Sequence, residues 1–219
     1  MKIEVIENVL KYNKNQADKN RKLFKDNMLL VLNLLSSPGS GKTSLILETL
    51  KRLKGKKNIG VIEGDISSTY DAEKIGKLTD NVIQINTGGS CHLNATMIEK
   101  AVSKLKIKSL DLLIIENVGN LICPSGFDLG EDYKIVMSSV SEGDDKPVKY
   151  PPVFIKSNLI ILNKIDLFKV SDFNQNFFEN KVKELNPVSD IIKLSCKTGS
   201  GMEKWIEWVL DRCKIRNNR

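Results

Sequence analysis

Residues 36–43 read Ser36-Ser37-Pro38-Gly39-Ser40-Gly41-Lys42-Thr43. An apolar run from Met28 to Leu35 precedes them, and a helix-prone segment from Thr43 to Leu53 follows. Strand, glycine-rich loop and helix in that order are what a phosphate-binding P-loop requires. The backbone N–H groups of such a loop converge on phosphate oxygens, aided by the positive end of the helix. Gly39, Ser40 and Gly41 are expected to wrap the phosphates, the two glycines letting the backbone approach because no Cβ intervenes. Lys42 is expected to reach the β- and γ-phosphates, the Thr43 hydroxyl to ligate Mg²⁺, and Ser44 to bind the nucleotide beside them. The usual pattern has glycine where this chain has Ser36, a mild departure because the turn itself falls at Pro38-Gly39.

Outward from that loop, buried-looking strands alternate with helical stretches. Strands are expected at 60–63, 81–86, 110–116, 133–140, 158–162 and 191–194, and helices at 3–26, 43–53, 71–78, 93–105, 173–185 and 202–214. The segments 117–132 and 141–152 read as loops. This alternation predicts an α/β fold with a mostly parallel central sheet covered on both faces. Residues 1–219 read as one domain, with 1–27 a polar helix lying on its surface, its apolar stripe built from Ile3, Ile6 and Leu10.

Composition narrows the function. The chain has 219 residues, 41% hydrophobic and 28% charged, with a formal charge of +7, ordinary for a soluble globular protein. No apolar run approaches the roughly 20 residues of a membrane span, and no secretory segment is evident, so the expectation is a cytoplasmic protein without a membrane partner. The basic residues are scattered and no RNA-binding aromatic-basic motif appears, which argues against nucleic acid. Four cysteines in such a chain point to metal or thiol chemistry rather than a disulfide framework.

The strand Ile160-Ile161-Leu162 runs directly into Asn163-Lys164-Ile165-Asp166, the arrangement with which GTPases read guanine. The Asp166 carboxylate can accept hydrogen bonds from both guanine N1–H and the exocyclic amine. Adenine offers neither donor there and would leave that carboxylate unpaired. Lys164 is expected to lay its stem over the base and Asn163 to brace the loop. Ser195-Cys196-Lys197, about thirty residues further on, resembles the Ser-Ala-Lys loop that closes over guanine. GTP and GDP are therefore the expected ligands. Asp65 and Glu116, each ending a strand beside the P-loop, are candidates for the Mg²⁺ sphere and for positioning the attacking water. Gly119 is placed to meet the γ-phosphate through its N–H.

The single histidine, His92, follows Cys91, and Cys123 lies in the loop after the Glu116 strand. Both loops should emerge at the same edge of the sheet as the nucleotide. Thiolate and imidazole together suit Zn²⁺ or Ni²⁺, although three ligands leave the shell incomplete. By spacing alone the metal signal is weak, and two ordinary buried thiols are the favoured alternative. Cys196 reads as the small packing residue of the guanine loop and Cys213 as part of the last helix.

The stretches Asn33 to Thr43, Ile62 to Asp65, Asn86 to Leu93, Glu116 to Pro124 and Glu142 to Pro147 together resemble the hydrogenase nickel-incorporation GTPases, the HypB family, over nearly the whole chain. The resemblance implies a three-layer P-loop NTPase fold of the SIMIBI class. It also implies a GTPase that delivers Ni²⁺ to the large subunit of [NiFe]-hydrogenase, working with a small zinc-containing nickel chaperone, HypA. A nucleotide-promoted homodimer holding metal on Cys91, His92 and Cys123 near its interface belongs to the same implication. The cysteine-rich or histidine-rich N-terminal tracts of some members have no counterpart in this sequence, whose first cysteine is Cys91, so metal is expected in the nucleotide domain alone. Asn94 and Thr96 stand where the family often shows Asp and a second His. Two other readings stay open: a urease-accessory type of nickel GTPase, and a metal-binding scaffold whose nucleotide turnover is incidental.

Overall fold

The computed structural model describes residues 4–217. Seven strands form one sheet: β1 (Leu30–Ser36), β2 (Ile59–Asp65), β3 (Val82–Asn86), β4 (Leu112–Glu116), β5 (Tyr133–Ser139), β6 (Leu159–Asn163) and β7 (Asp190–Lys193). Their order is β3-β2-β4-β1-β5-β6-β7. Every pair is parallel, so all the carboxyl ends lie at one edge. Each residue of β1, β4 and β6 is buried, as central strands covered on both faces must be.

Three layers result. On one face α2 (Lys42–Leu53), α3 (Tyr70–Gly76) and α8 (Met202–Asn217) cover Leu32, Leu34, Ile114 and Ile161. The Trp205 indole N–H donates to Thr49 Oγ1 at 2.8 Å and ties α8 to α2. On the other face α1 (Glu4–Asp26) and α4 (Ala95–Val102) cover Val31, Leu113 and Ile115. Beside them α6 (Pro151–Ile155) and α7 (Gln175–Leu185) cover Val136, Ile160 and Leu162. Among the described residues no helix is long and apolar enough to cross a membrane.

Three expectations need correction. The 141–152 segment is not a loop throughout: it holds α5 (Lys146–Lys149) and the start of α6, with Pro147 and Pro151 in their first turns. Proline is preorganised for a first helical turn, where its missing N–H costs nothing. The 117–132 segment carries one tight 3₁₀ turn, Cys123–Gly126, again with proline at its start. Third, α1 does not dock through the expected apolar stripe. Ile3 and the side chain of Ile6 lie outside the described residues, and Leu10 is 47% exposed. The buried face is Asn13, Gln16, Ala17, Asn20 and Phe24. Asn20 donates to the carbonyls of Ala95 and Leu129, while Asn13 accepts from Ala95 N–H and donates to Asp128 O. Those bonds seat the helix against α4 and the 128–130 turn, where Gly130 (φ 92°) brings its backbone against that of Ala17 and Arg21.

Candidate nucleotide and metal site

The P-loop leaves the buried end of β1, turns through Gly39 (φ 78°) and Gly41 (φ 104°), and delivers Lys42 and Thr43 to the first turn of α2. Gly41 needs more than its positive φ. Asn163 Nδ2 occupies the space a Cβ would take, because Asn163 donates to Ser40 O at 2.8 Å. Lys42 is 8% exposed, and its ammonium donates to Ser36 Oγ at 2.8 Å. Burial pushes its pKa down, opposed by the charge of Glu116. Ser36, read from sequence as a departure from the motif, thus holds the P-loop lysine.

Carboxylates line the far wall. Thr43 Oγ1 lies 2.9 Å from Glu116 Oε1 and 3.1 Å from Asp71 Oδ2, and its one hydrogen serves both. Asp65 Oδ1 accepts from the backbone N–H groups of Ser67 and Ser68 at 2.8 and 2.7 Å. Desolvation is the largest single influence and raises the Asp65 pKa, but the backbone N–H bonds together outweigh it and hold Asp65 below the usual carboxylate range. Glu116 is 5% exposed; burial raises its pKa to about 7, opposed by Lys42 and by the Thr43 hydroxyl. Glu63 had no place in the sequence reading. It is 3% exposed, and burial followed by repulsion from Glu116 raises its pKa to about 8. Gly119 packs on the P-loop, where any Cβ would meet Pro38 at about 3.0 Å. These groups bound a cavity of about 630 Å³ reaching from Glu63 and Asp65 across Lys42 to Lys164.

That cavity fits a magnesium nucleotide. Lys42, Thr43, Ser44 and Gly119 present donors, while Glu63 Oε2 and Glu116 Oε2 are buried without a hydrogen-bond partner. Oxygen donors without sulfur or imidazole suit a hard cation such as Mg²⁺.

At the other end, Asn163 is braced on both sides: its Oδ1 also accepts from Cys196 N–H at 3.1 Å. Lys164 adopts a left-handed backbone (φ 60°), and its ammonium donates to Gly39 O at 2.7 Å and Ser141 Oγ at 3.0 Å. Ser195 Oγ donates to Asp166 Oδ1 at 2.6 Å, fixing that carboxylate. Asp166, Ser195 and Cys196 therefore share one loop cluster beyond the cavity wall, with Lys197 exposed beside them. Cys196 packs partly buried and Cys213 fully buried against the core, as expected, and all four thiols are free.

The third group sits at the same edge of the sheet. Cys91, His92 and Cys123 place their ligand atoms within 4.8 Å of one another, with Cys91 Sγ 3.7 Å from His92 Nδ1. The Cys123 thiol raises the Cys91 pKa, and partial burial lowers that of His92. The His92 ring rests on Phe127, centroids 3.9 Å apart. Sulfur and imidazole suit Ni²⁺ or Zn²⁺. Asn120 reaches from the Cys123 loop toward Cys91 O at 3.5 Å. Asn117, 1% exposed, joins the two loops from beneath: its Oδ1 accepts from Leu93 N–H and Val118 N–H.

Comparison with known proteins gives the family. Residues 30–193 match the family model described as CobW/HypB/UreG, nucleotide-binding domain. The chain is 46% identical to hydrogenase maturation factor HypB of Escherichia coli (strain K12) over 212 residues, 96% of this chain and 73% of that protein. It belongs to the HypB family. Among solved HypB structures, that from Archaeoglobus fulgidus superposes with a TM-score of 0.87 at 40% identity, covering 92% of this chain and 98% of that one. HypB from Helicobacter pylori, solved in complex with nickel, gives a TM-score of 0.88 at 38% identity over 93% of this chain and 95% of that one. The three-layer sheet is thus the P-loop GTPase fold of HypB relatives. Asp71, Asn117 and Glu63 are the site residues that sequence reasoning missed. Only Glu63 carried a usable signal: two residues before Asp65 on a strand, it must share Asp65's face.

Proposed function

We propose that this chain is a GTP-hydrolysing metallochaperone that inserts nickel into [NiFe]-hydrogenase. One observation carries the reading: a three-ligand sulfur–imidazole cluster, Cys91, His92 and Cys123, opens at the same sheet edge as a P-loop cavity. Kinship with HypB proteins, one of them solved with nickel, supports it. Residues 1–219 act as one domain in this reading.

The backbone N–H groups of 39–44 cradle the phosphates, and Lys42, pulled from Ser36, neutralises the β/γ bridge. Asp166, held by Ser195, accepts from guanine; Asn163 fixes the loop and Lys164 covers the base, with Cys196 and Lys197 closing behind. Thr43, Asp65 and Glu116 are the residues that would hold Mg²⁺, which supplies charge neutralisation at the phosphates when bound. Water attacks the γ-phosphorus and the bond to the β-phosphate oxygen breaks, while Gly119 N–H faces the oxygens where charge builds. Nickel is cargo, held by Cys91, His92 and Cys123. Zn²⁺ competes for the same donors, and a partner copy in a nucleotide-promoted homodimer supplies what the three ligands leave open. A HypA-type chaperone as nickel donor, the hydrogenase large subunit as recipient, and a cytoplasmic setting complete the reading.

The test is a nickel titration of the purified protein with no nucleotide, with GDP and with a non-hydrolysable GTP analogue, alongside a phosphate-release assay. GTP hydrolysis together with one nickel site that vanishes in Cys91→Ala supports the reading. Nickel bound equally well by the Cys91→Ala/Cys123→Ala protein, or absence of GTP turnover, overturns it.

A further inference from the structure

Glu63 is a buried acid of the cavity wall and has no role in the reading above. It lies in register with Glu116 on the adjacent parallel strand, where neighbouring chains are about 4.8 Å apart. Strand alternation turns Val61, Glu63 and Asp65 to one face, and Val61 packs in the core formed with α2. That face meets Lys42 and Thr43. Glu63 is 3% exposed and lines the cavity, and its Oε2 is buried with no hydrogen-bond partner. Its neighbours along the strand, Val61 and Ile62, are fully buried and apolar. An apolar residue at 63 would suit the fold at least as well, because a buried carboxylate oxygen without a donor is destabilising. What distinguishes a carboxylate here is its capacity to accept from something that enters the cavity.

The occupant's donors follow from cation chemistry. Mg²⁺ keeps several waters when it binds with phosphates, and those waters need acceptors. Thr43's single hydrogen is already shared between Glu116 and Asp71, so the existing contacts leave Glu63 unused. Direct ligation is not indicated. Among the described residues only Cys91, His92 and Cys123 bring three such ligand atoms within 4.8 Å of one another, so Glu63 does not join Asp65 and Glu116 as a third carboxylate around one ion.

We propose that Glu63 is a positioning residue of the hydrolytic centre whose carboxylate accepts hydrogen bonds from the water shell of the nucleotide's Mg²⁺. The inference rests on the cavity being the GTP site. It assigns Glu63 to cation retention, apart from the residues that grip the phosphates and the base.

The test uses the full chain carrying Glu63→Gln, which keeps the size and replaces one acceptor by a donor. Binding of a fluorescent GTP analogue is measured in EDTA and then as a function of added Mg²⁺. Outer-shell substitutions typically weaken a metal by about 10- to 100-fold. The expected result is a half-saturating Mg²⁺ concentration raised by about tenfold or more, with affinity in EDTA unchanged. Glu63→Asp, which keeps the charge on a shorter arm, should fall between. An unchanged Mg²⁺ dependence overturns the proposal, as does failure of both variants to fold, since a water acceptor is not needed by the nucleotide-free fold. Wild-type protein that binds no GTP in any condition removes the GTP-site reading instead, a result separable from failure at Glu63.

Discussion

The side-chain oxygen of Asn117 accepts a hydrogen bond from the backbone N–H of Leu93 at 3.2 Å, with the next residue after His92 thereby pinned to the next residue after Glu116. Asn117 Oδ1 also takes Val118 N–H at 3.0 Å, and its Nδ2 donates to Asn33 on β1 at 3.2 Å. One buried amide therefore joins the strand feeding the P-loop, the loop carrying Gly119 and the loop carrying two metal ligands. A shift of the 117–119 backbone on loss of the γ-phosphate must move Leu93 or break this bond. Linked sites of this kind show couplings of about 1–3 kcal/mol, or about 5- to 150-fold in affinity. Asn117→Ala is expected to collapse the difference in nickel affinity between the GTP-analogue and GDP states while leaving a nickel site in each. Competition titrations in both states check this, and a difference as large as in the wild type would remove Asn117 from the route.

Lys42→Ala is expected to abolish GTP hydrolysis without lowering the melting temperature of the nucleotide-free protein. Lys42 faces the cavity, and its burial opposes its charge, so removing the ammonium relieves a cost to the empty fold. Steady phosphate release by the variant at the wild-type rate would sink the assignment.

Asp166→Asn should turn one acceptor into a donor and shift preference from guanine toward xanthine nucleotides, whose extra carbonyl matches an amide. The Ser195 hydroxyl can rotate to donate to either side chain at this position, so the loop should survive the change. Competition binding of GTP, XTP and ATP decides it. Wild-type protein that holds ATP as tightly as GTP contradicts the guanine reading.

The sheet was legible because its central strands are apolar throughout and the P-loop fixes where the first one ends. The rule that loops after parallel strands share an edge put Cys123 at the same edge as Cys91 and His92, and the family resemblance was needed to join the three in one metal site. The residues that escaped did so for identifiable reasons. The face through which α1 docks is amide-rich, so hydrophobic periodicity pointed at Leu10 instead of Asn13 and Asn20. Pro147 and Pro151 look like helix breakers but open α5 and α6. Asp71 and Asn117 act through partners 28, 24 and 84 residues away, a relation that local pattern does not carry.

Burial of Glu63 and Glu116 has a consequence for stability. Their folded pKa values stand near 8 and 7 against an ordinary value of 4.5. The folded, ligand-free protein thus holds protons that the unfolded chain releases. Stability from these groups is fully present below about pH 4.5 and is lost as pH rises through about 7 to 8. Glu63→Gln cannot ionise and escapes its share of that loss. In EDTA, the melting temperature of Glu63→Gln relative to wild type should therefore climb between about pH 5 and about pH 8.5. Thermal melts of both proteins across that range test the sign, and a gap that stays constant or narrows contradicts it.

The last prediction concerns the metal cluster itself. Cys123→Ala should weaken nickel binding strongly while leaving GTP binding nearly intact, because Cys123 opens a turn on the far side of Gly119 and does not line the nucleotide cavity. The binding forms are thiolate and neutral imidazole, so protons compete with nickel. Partial burial lowers the His92 pKa, which keeps the imidazole neutral to lower pH than an exposed histidine would be. The Cys91 thiol is shifted the other way, upward, by its contact with Cys123. Acidification should therefore cost affinity first through the thiols, and only at lower pH through His92. In Cys123→Ala, Cys91 loses the neighbour that raises its pKa, so the fall in affinity on acidification should begin at lower pH although the affinity itself is weaker. Nickel titrations of both proteins at several pH values separate the two effects. A variant with wild-type nickel affinity would mean that Cys123 lies near the ion without holding it.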